Sequence, residues 1–236
     1  MDSIKAAARR AGVLYLLLAI IGPFNTIYVP GRFIVAGNPT ATARNITAAE
    51  LTYRIGILSE LVADVVFLVL VLSLYDLLKD VNRKQARLMV VLVSVGVAIG
   101  VVNLLNQAAP LVLLNGGGFW SVFTKAQLDA FALGFLGLRN VGNNIAFVFW
   151  GLWLFPFGIL VVKSGFFPKF LGVLLIVGGF AYVVGSVTPI VLPAHARVVS
   201  QVTLPLAAPG ELLMILWLLI KGVKVEALEA RVSHAT

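Results

Sequence analysis

Six apolar stretches of membrane-spanning length, each meeting Lys or Arg at one end, account for most of this 236-residue chain. A hydrocarbon core of about 30 Å takes about 20 helical residues, and a helix satisfies its own backbone polar groups within lipid. Charged residues make up only 12% of the chain and the mean hydropathy is +1.02, against roughly 25% charged residues in an ordinary soluble domain. A water-soluble fold is thereby excluded. The expected class is all-α: a polytopic transmembrane helical bundle with six spans. No Pro/Ser-rich linker or charge block divides residues 1–236, so a single domain is expected.

Measured from their basic ends, the spans are expected at about 11–29, 51–78, 88–109, 139–162, 170–188 and 198–220. Twelve basic residues then fall on the side of the termini: Lys5, Arg9, Arg10, Lys79, Arg83, Lys84, Arg87, Lys163, Lys169, Lys221, Lys224 and Arg231. Six fall on the other: Arg32, Arg44, Arg54, Lys125, Arg139 and Arg197. The bias places both termini in the cytoplasm. The first span is not read as a cleaved signal peptide, because the small-residue triplet Ala41-Thr42-Ala43 lies well beyond the apolar run.

Thr47 with Glu50, and Thr124 with Gln127, match the capping box that opens helices. The first is expected to extend helix two. The second opens a helix which, continued to Lys163, would measure roughly 58 Å at 1.5 Å per residue, too long for one crossing. Leu128, Phe131, Ala132, Phe135 and Leu136 recur at helical spacing, so residues 125–138 are expected as an outer interfacial amphipathic helix, with a bend near Gly134, Gly137 or Gly142. Gly96-x-x-x-Gly100 and Ala181-x-x-x-Gly185 read as ordinary close packing.

The unusual residues are the polar ones within the spans. Glu60 and Asp64 are one helical turn apart, as are Asn103 and Gln107, so each pair shares a face. A charge at a helix centre costs roughly 2.5–3.5 kcal/mol on insertion scales, so Asp64 and Glu211 should face the bundle interior. With Arg54, Arg139 and Asn143 near the outer boundary, Glu60, Asp64, Asn103, Gln107 and Glu211 supply the parts of a polar pocket open to the outside. A carboxyl at such depth calls for a proton or a cation as partner. Structural readings stand beside this one. Glu211 follows Pro209-Gly210, an expected helix start, where a carboxylate caps exposed amides; interior Asn and Gln also serve as interhelical glue.

No catalytic constellation emerges. His195 and His234 are isolated and cysteine is absent, so neither a metal site nor a cofactor is expected. Asn115-Gly116-Gly117-Gly118 lacks the lysine of a phosphate loop and leads into Phe119-Trp120, an interfacial turn with an aromatic anchor. The formal charge of +8 is spread over loop ends, which excludes nucleic acid as a partner and leaves the lipid bilayer. Asn45-Ile46-Thr47 matches the glycosylation triplet but doubles as the cap.

Arg9-Arg10-Ala11-Gly12-Val13-Leu14-Tyr15 and Tyr53-Arg54-Ile55-Gly56-Ile57-Leu58-Ser59-Glu60, followed by Gly142-Asn143-Asn144-Ile145, Trp150-Gly151, Lys163-Ser164-Gly165-Phe166-Phe167-Pro168-Lys169-Phe170-Leu171-Gly172 and Gly210-Glu211-Leu212, resemble in sequence and order the bacterial family catalogued as domain of unknown function 4386. Members typically carry Asp where this chain has Glu60, and often His where it has Arg139-Asn140. The resemblance implies a multi-helix bacterial membrane protein and no particular reaction. Three functions fit: a small-molecule or cation/proton-linked binding or transport protein, a non-catalytic interaction or regulatory subunit, and an intramembrane enzyme using a carboxylate pair. The first is preferred, in the bacterial cytoplasmic membrane.

Overall fold

The computed structural model describes residues 2–115 and 117–223. Gly116, Lys224, Arg231 and His234 lie outside the described residues. Among the described residues nine α-helices follow in order: α1 (Asp2–Pro23), α2 (Val29–Phe33), α3 (Pro39–Ala48), α4 (Glu50–Leu78), α5 (Arg83–Leu114), α6 (Lys125–Leu152), α7 (Leu154–Ser164), α8 (Lys169–Val191) and α9 (Ala196–Ile220). Together they supply, among the described residues, six helical segments long and apolar enough to cross a membrane. Leu72, Leu105, Phe180 and Leu204 are all more than half exposed, so apolar side chains cover the helix exteriors. That pattern suits lipid: this is a multi-pass membrane protein.

Several boundaries differ from expectation. The first crossing covers Ile4–Phe33 and contains a π-helical turn at Phe24–Tyr28. Pro30 has no N–H for the carbonyl of Thr26, and the ladder widens there, Val29 N–H donating to Phe24 O. Helices α5, α8 and α9 run through Pro110, Pro189, Pro205 and Pro209. Glu211 therefore lies well inside α9 and not at a helix start. Residues 39–48 form α3, where Thr47 Oγ1 donates back to Ala43 O at 3.1 Å and does not cap α4. The Thr124–Gln127 box does form: Thr124 N–H donates to Gln127 Oε1 at 2.8 Å, and Gln127 N–H to Thr124 Oγ1 at 3.3 Å.

Residues 125–138 are helical, with Leu128, Ala132 and Leu136 buried and Phe131 and Phe135 exposed, but α6 passes through Gly134, Gly137 and Gly142 without interruption. The break comes at Trp153. Pro156 lacks the N–H that would meet the carbonyl of Leu152, so the helix is released one turn before the proline. Gly165, at φ 78°, then ends α7 in the left-handed conformation that favours glycine.

Contacts group the chain into two compact units. Among the described residues, the first comprises 2–17, 66–97 and 144–223. Here Trp153 stacks on Phe157 at 5.1 Å and meets Phe67 edge-on at 5.2 Å, and α8 packs against both α7 and α9. The second comprises residues 18–65 and 98–143. Val29, Phe33, Ile46, Tyr53, Leu111 and Leu136 form its apolar core.

Candidate functional site

In the second unit, three helices each present two polar residues one turn apart: Glu60 and Asp64 from α4, Asn103 and Gln107 from α5, Arg139 and Asn143 from α6. Arg139, 3% exposed, is the hub. Its Nη2 donates to Glu60 Oε2 at 2.5 Å and its Nε to Gln107 Oε1 at 2.8 Å. Asn103 Nδ2 donates to the Arg139 carbonyl at 2.9 Å and to Asn143 Oδ1 at 2.8 Å, while Asn106 Nδ2 donates to Asn103 Oδ1 at 2.9 Å. A guanidinium buried among apolar helices is tolerable only with such a complement of acceptors.

Close approach depends on glycine. A Cβ on Gly142 would lie 2.2 Å from Asn103 Oδ1, so α6 can accept the Asn103 amide only where it has no side chain. Gly100 likewise gives the Asp64 carboxyl a bare stretch of α5: an added Cβ would stand 3.3 Å from Asp64 Oδ2. Asp64 is 3% exposed, and Oδ2 has no hydrogen-bond partner. Among the described residues no Lys or Arg pairs with it. Among the described residues of this unit, Gln107 Nε2 is the other buried side-chain polar atom without a partner.

Residues beyond the expected set complete the cluster. Tyr53 donates its hydroxyl to Gln107 O at 2.7 Å. It sits seven residues before Glu60, two turns along one helix face, a periodicity already present in the sequence. Asn25, in the π turn, is 2% exposed and meets Ser59 Oγ at 3.2 Å. Val29, Phe33, Tyr53, Gln107, Leu136 and Arg139 are among the residues lining a small cavity with room for about one water, so the polar groups close on one another.

Two expected members fall elsewhere. Arg54 is exposed and pairs with Glu50 one turn back on α4, Nη2 to Oε1 at 2.6 Å. Glu211 belongs to the first unit, where Tyr15 donates its hydroxyl to Oε2 at 2.5 Å and Tyr182 approaches the same carboxyl. Neither tyrosine carries a spacing signal in the sequence, because each stands alone on its helix. Among the described residues no group of acidic, His or Cys side chains is arranged to hold a metal ion.

The chain matches the family model described as Domain of unknown function (DUF4386) over residues 10–222. It belongs to the DUF4386 family. Every residue of both polar clusters lies within the matched span, so these clusters are built from the DUF4386 domain itself. An uncharacterized protein from Archaeoglobus fulgidus is 33% identical to this DUF4386 chain over 82 residues. That alignment covers 35% of the chain and 47% of the relative, so the chain spans about half the length of this curated relative. No solved structure matches.

Proposed function

We propose that the protein is a proton- or cation-linked binding or transport protein of the bacterial cytoplasmic membrane, with both termini in the cytoplasm and Asp64 as its ion-carrying carboxyl. One observation carries the reading: Arg139 is committed to Glu60, which leaves Asp64 Oδ2 buried and without a hydrogen-bond partner. A buried ionised carboxyl without a partner is strongly unfavourable, so a proton or a ligand cation completes it. Gly100 lets the Asp64 carboxyl lie against bare backbone of α5, away from any side chain that could serve as a fixed positive partner. The twelve-to-six bias of basic residues supports the orientation.

A second reading, a non-catalytic regulatory subunit, draws support from the closure of the Arg139 cluster around a cavity with room for about one water. Proteoliposomes carrying an internal pH dye separate the two. Imposed sodium, potassium or tetramethylammonium gradients should drive proton movement with the native chain and with Arg54→Gln, but not with Asp64→Asn. Native vesicles indistinguishable from empty ones under every gradient would leave the regulatory reading.

A further inference from the structure

Glu211 has surroundings of its own. Tyr15 of α1 and Tyr182 of α8 are the titratable groups facing its carboxyl, and no Lys, Arg or His is paired with it among the described residues. Packing beside it is tight. A Cβ on Gly210 would lie 2.7 Å from the backbone of Leu174, so α8 and α9 touch main chain to main chain one residue before the carboxyl. The ring of Tyr15 lies 6.0 Å from that of Trp153, itself 1% exposed. Proline at 205 and 209 removes the N–H groups that the carbonyls of Gln201 and Pro205 would otherwise meet.

Such a set suits one kind of ligand. A carboxylate only accepts hydrogen bonds, a protonated carboxyl also donates one, and a phenol does both. In the charged state Glu211 accepts from both tyrosines. With a proton added, the carboxyl donates to one phenol oxygen and continues to accept from the other phenol. The carboxyl keeps hydrogen-bond partners in both states by turning O–H groups, with no movement of a helix. The close approach of α8 and α9 beside Gly210 and the Tyr15 hydroxyl on Glu211 suit the smallest ligand, a proton.

We infer that Tyr15, Glu211 and Tyr182 form a proton-binding site in their own right, with Glu211 taking the proton and the two phenols satisfying it in either state. The inference rests on the neighbours of Glu211 and stands whether or not Asp64 carries an ion. Its rival is a fixed clamp holding α1, α8 and α9 together through one unchanging hydrogen-bonded state.

Infrared spectra of the full chain in nanodiscs decide between them, recorded in an Asp64→Asn background between about pH 4 and pH 9, a range spanning ordinary carboxyl and histidine titration. A protonated-carboxyl band should grow as pH falls, vanish in Glu211→Gln and shift in Tyr15→Phe. In a variant with Trp120, Trp150 and Trp217 replaced by Phe, Trp153 fluorescence should follow the same titration. Spectra that superimpose with and without Glu211→Gln overturn the assignment. Where that variant does not fold, Tyr15→Phe carries the decision: an unshifted band overturns it equally.

Discussion

Arg139 on α6 donates to Glu60 on α4 across 2.5 Å, and this pairing decides the situation of Asp64 one turn further along the same helix. A guanidinium offers a planar fork of donors, and Arg139 directs Nη2 to Glu60 and Nε to Gln107. Asp64 is deeper, at 3% exposure, and pairs with no cation among the described residues. Two acids on one helix face thus stand in different surroundings, Glu60 paired with Arg139 and Asp64 Oδ2 without a partner.

Removing one partner of a buried ion pair strands the other, at about 3–5 kcal/mol. Glu60→Gln and Arg139→Gln should each lower thermal stability in detergent substantially. The double variant Glu60→Leu with Arg139→Met should recover most of the loss. A double variant as unstable as the sum of the singles would show that the Arg139 side chain holds the fold through Gln107 instead.

Gly142→Ala forces the Asn103 amide out of its place, and overpacking of this kind costs typically about 1–3 kcal/mol. Adding Asn103→Ala removes the obstructing amide, so the pair should be more stable than Gly142→Ala alone. Urea or thermal unfolding of the three variants provides the comparison.

Gly137→Ala tests the course of α6. An added Cβ there meets nothing within 4 Å, and Ala is favoured over Gly in a helix interior by up to about 1 kcal/mol. The variant should be as stable as the native chain or slightly more so. Destabilisation would place a bend at this glycine.

The spans were legible in the sequence because hydropathy and basic ends are properties of single segments. Half of the site was legible too: Glu60 with Asp64, and Asn103 with Gln107, are helical neighbours whatever surrounds them. What failed was reading Pro209-Gly210 as it behaves in water: the pair reads as a helix start, yet α9 runs through it, because in lipid a backbone released from its ladder has no water to turn to. The partners of Glu211 were hidden because a contact between Tyr15 and residue 211 has no trace in local spacing.

Orientation has its own test. Alkaline phosphatase fused after residue 38 or 117 should be active, and after residue 83 or 166 inactive, if the basic-residue bias sets the topology. Activity at 83 would reverse the placement of the termini and of every loop.

Labelling with a hydrophobic carbodiimide reaches the central claim most directly, because the reagent enters from lipid and couples to carboxyls that carry a proton, not to carboxylates held in ion pairs. Mass spectrometry of the native chain should find the adduct on Asp64 and not on Glu60, should lose it in Asp64→Asn, and should find Glu60 modified once Arg139 is replaced by Gln. An adduct on Glu60 in the native chain, with Asp64 unmodified, would contradict the assignment of Arg139 to Glu60 and of the ion-carrying role to Asp64.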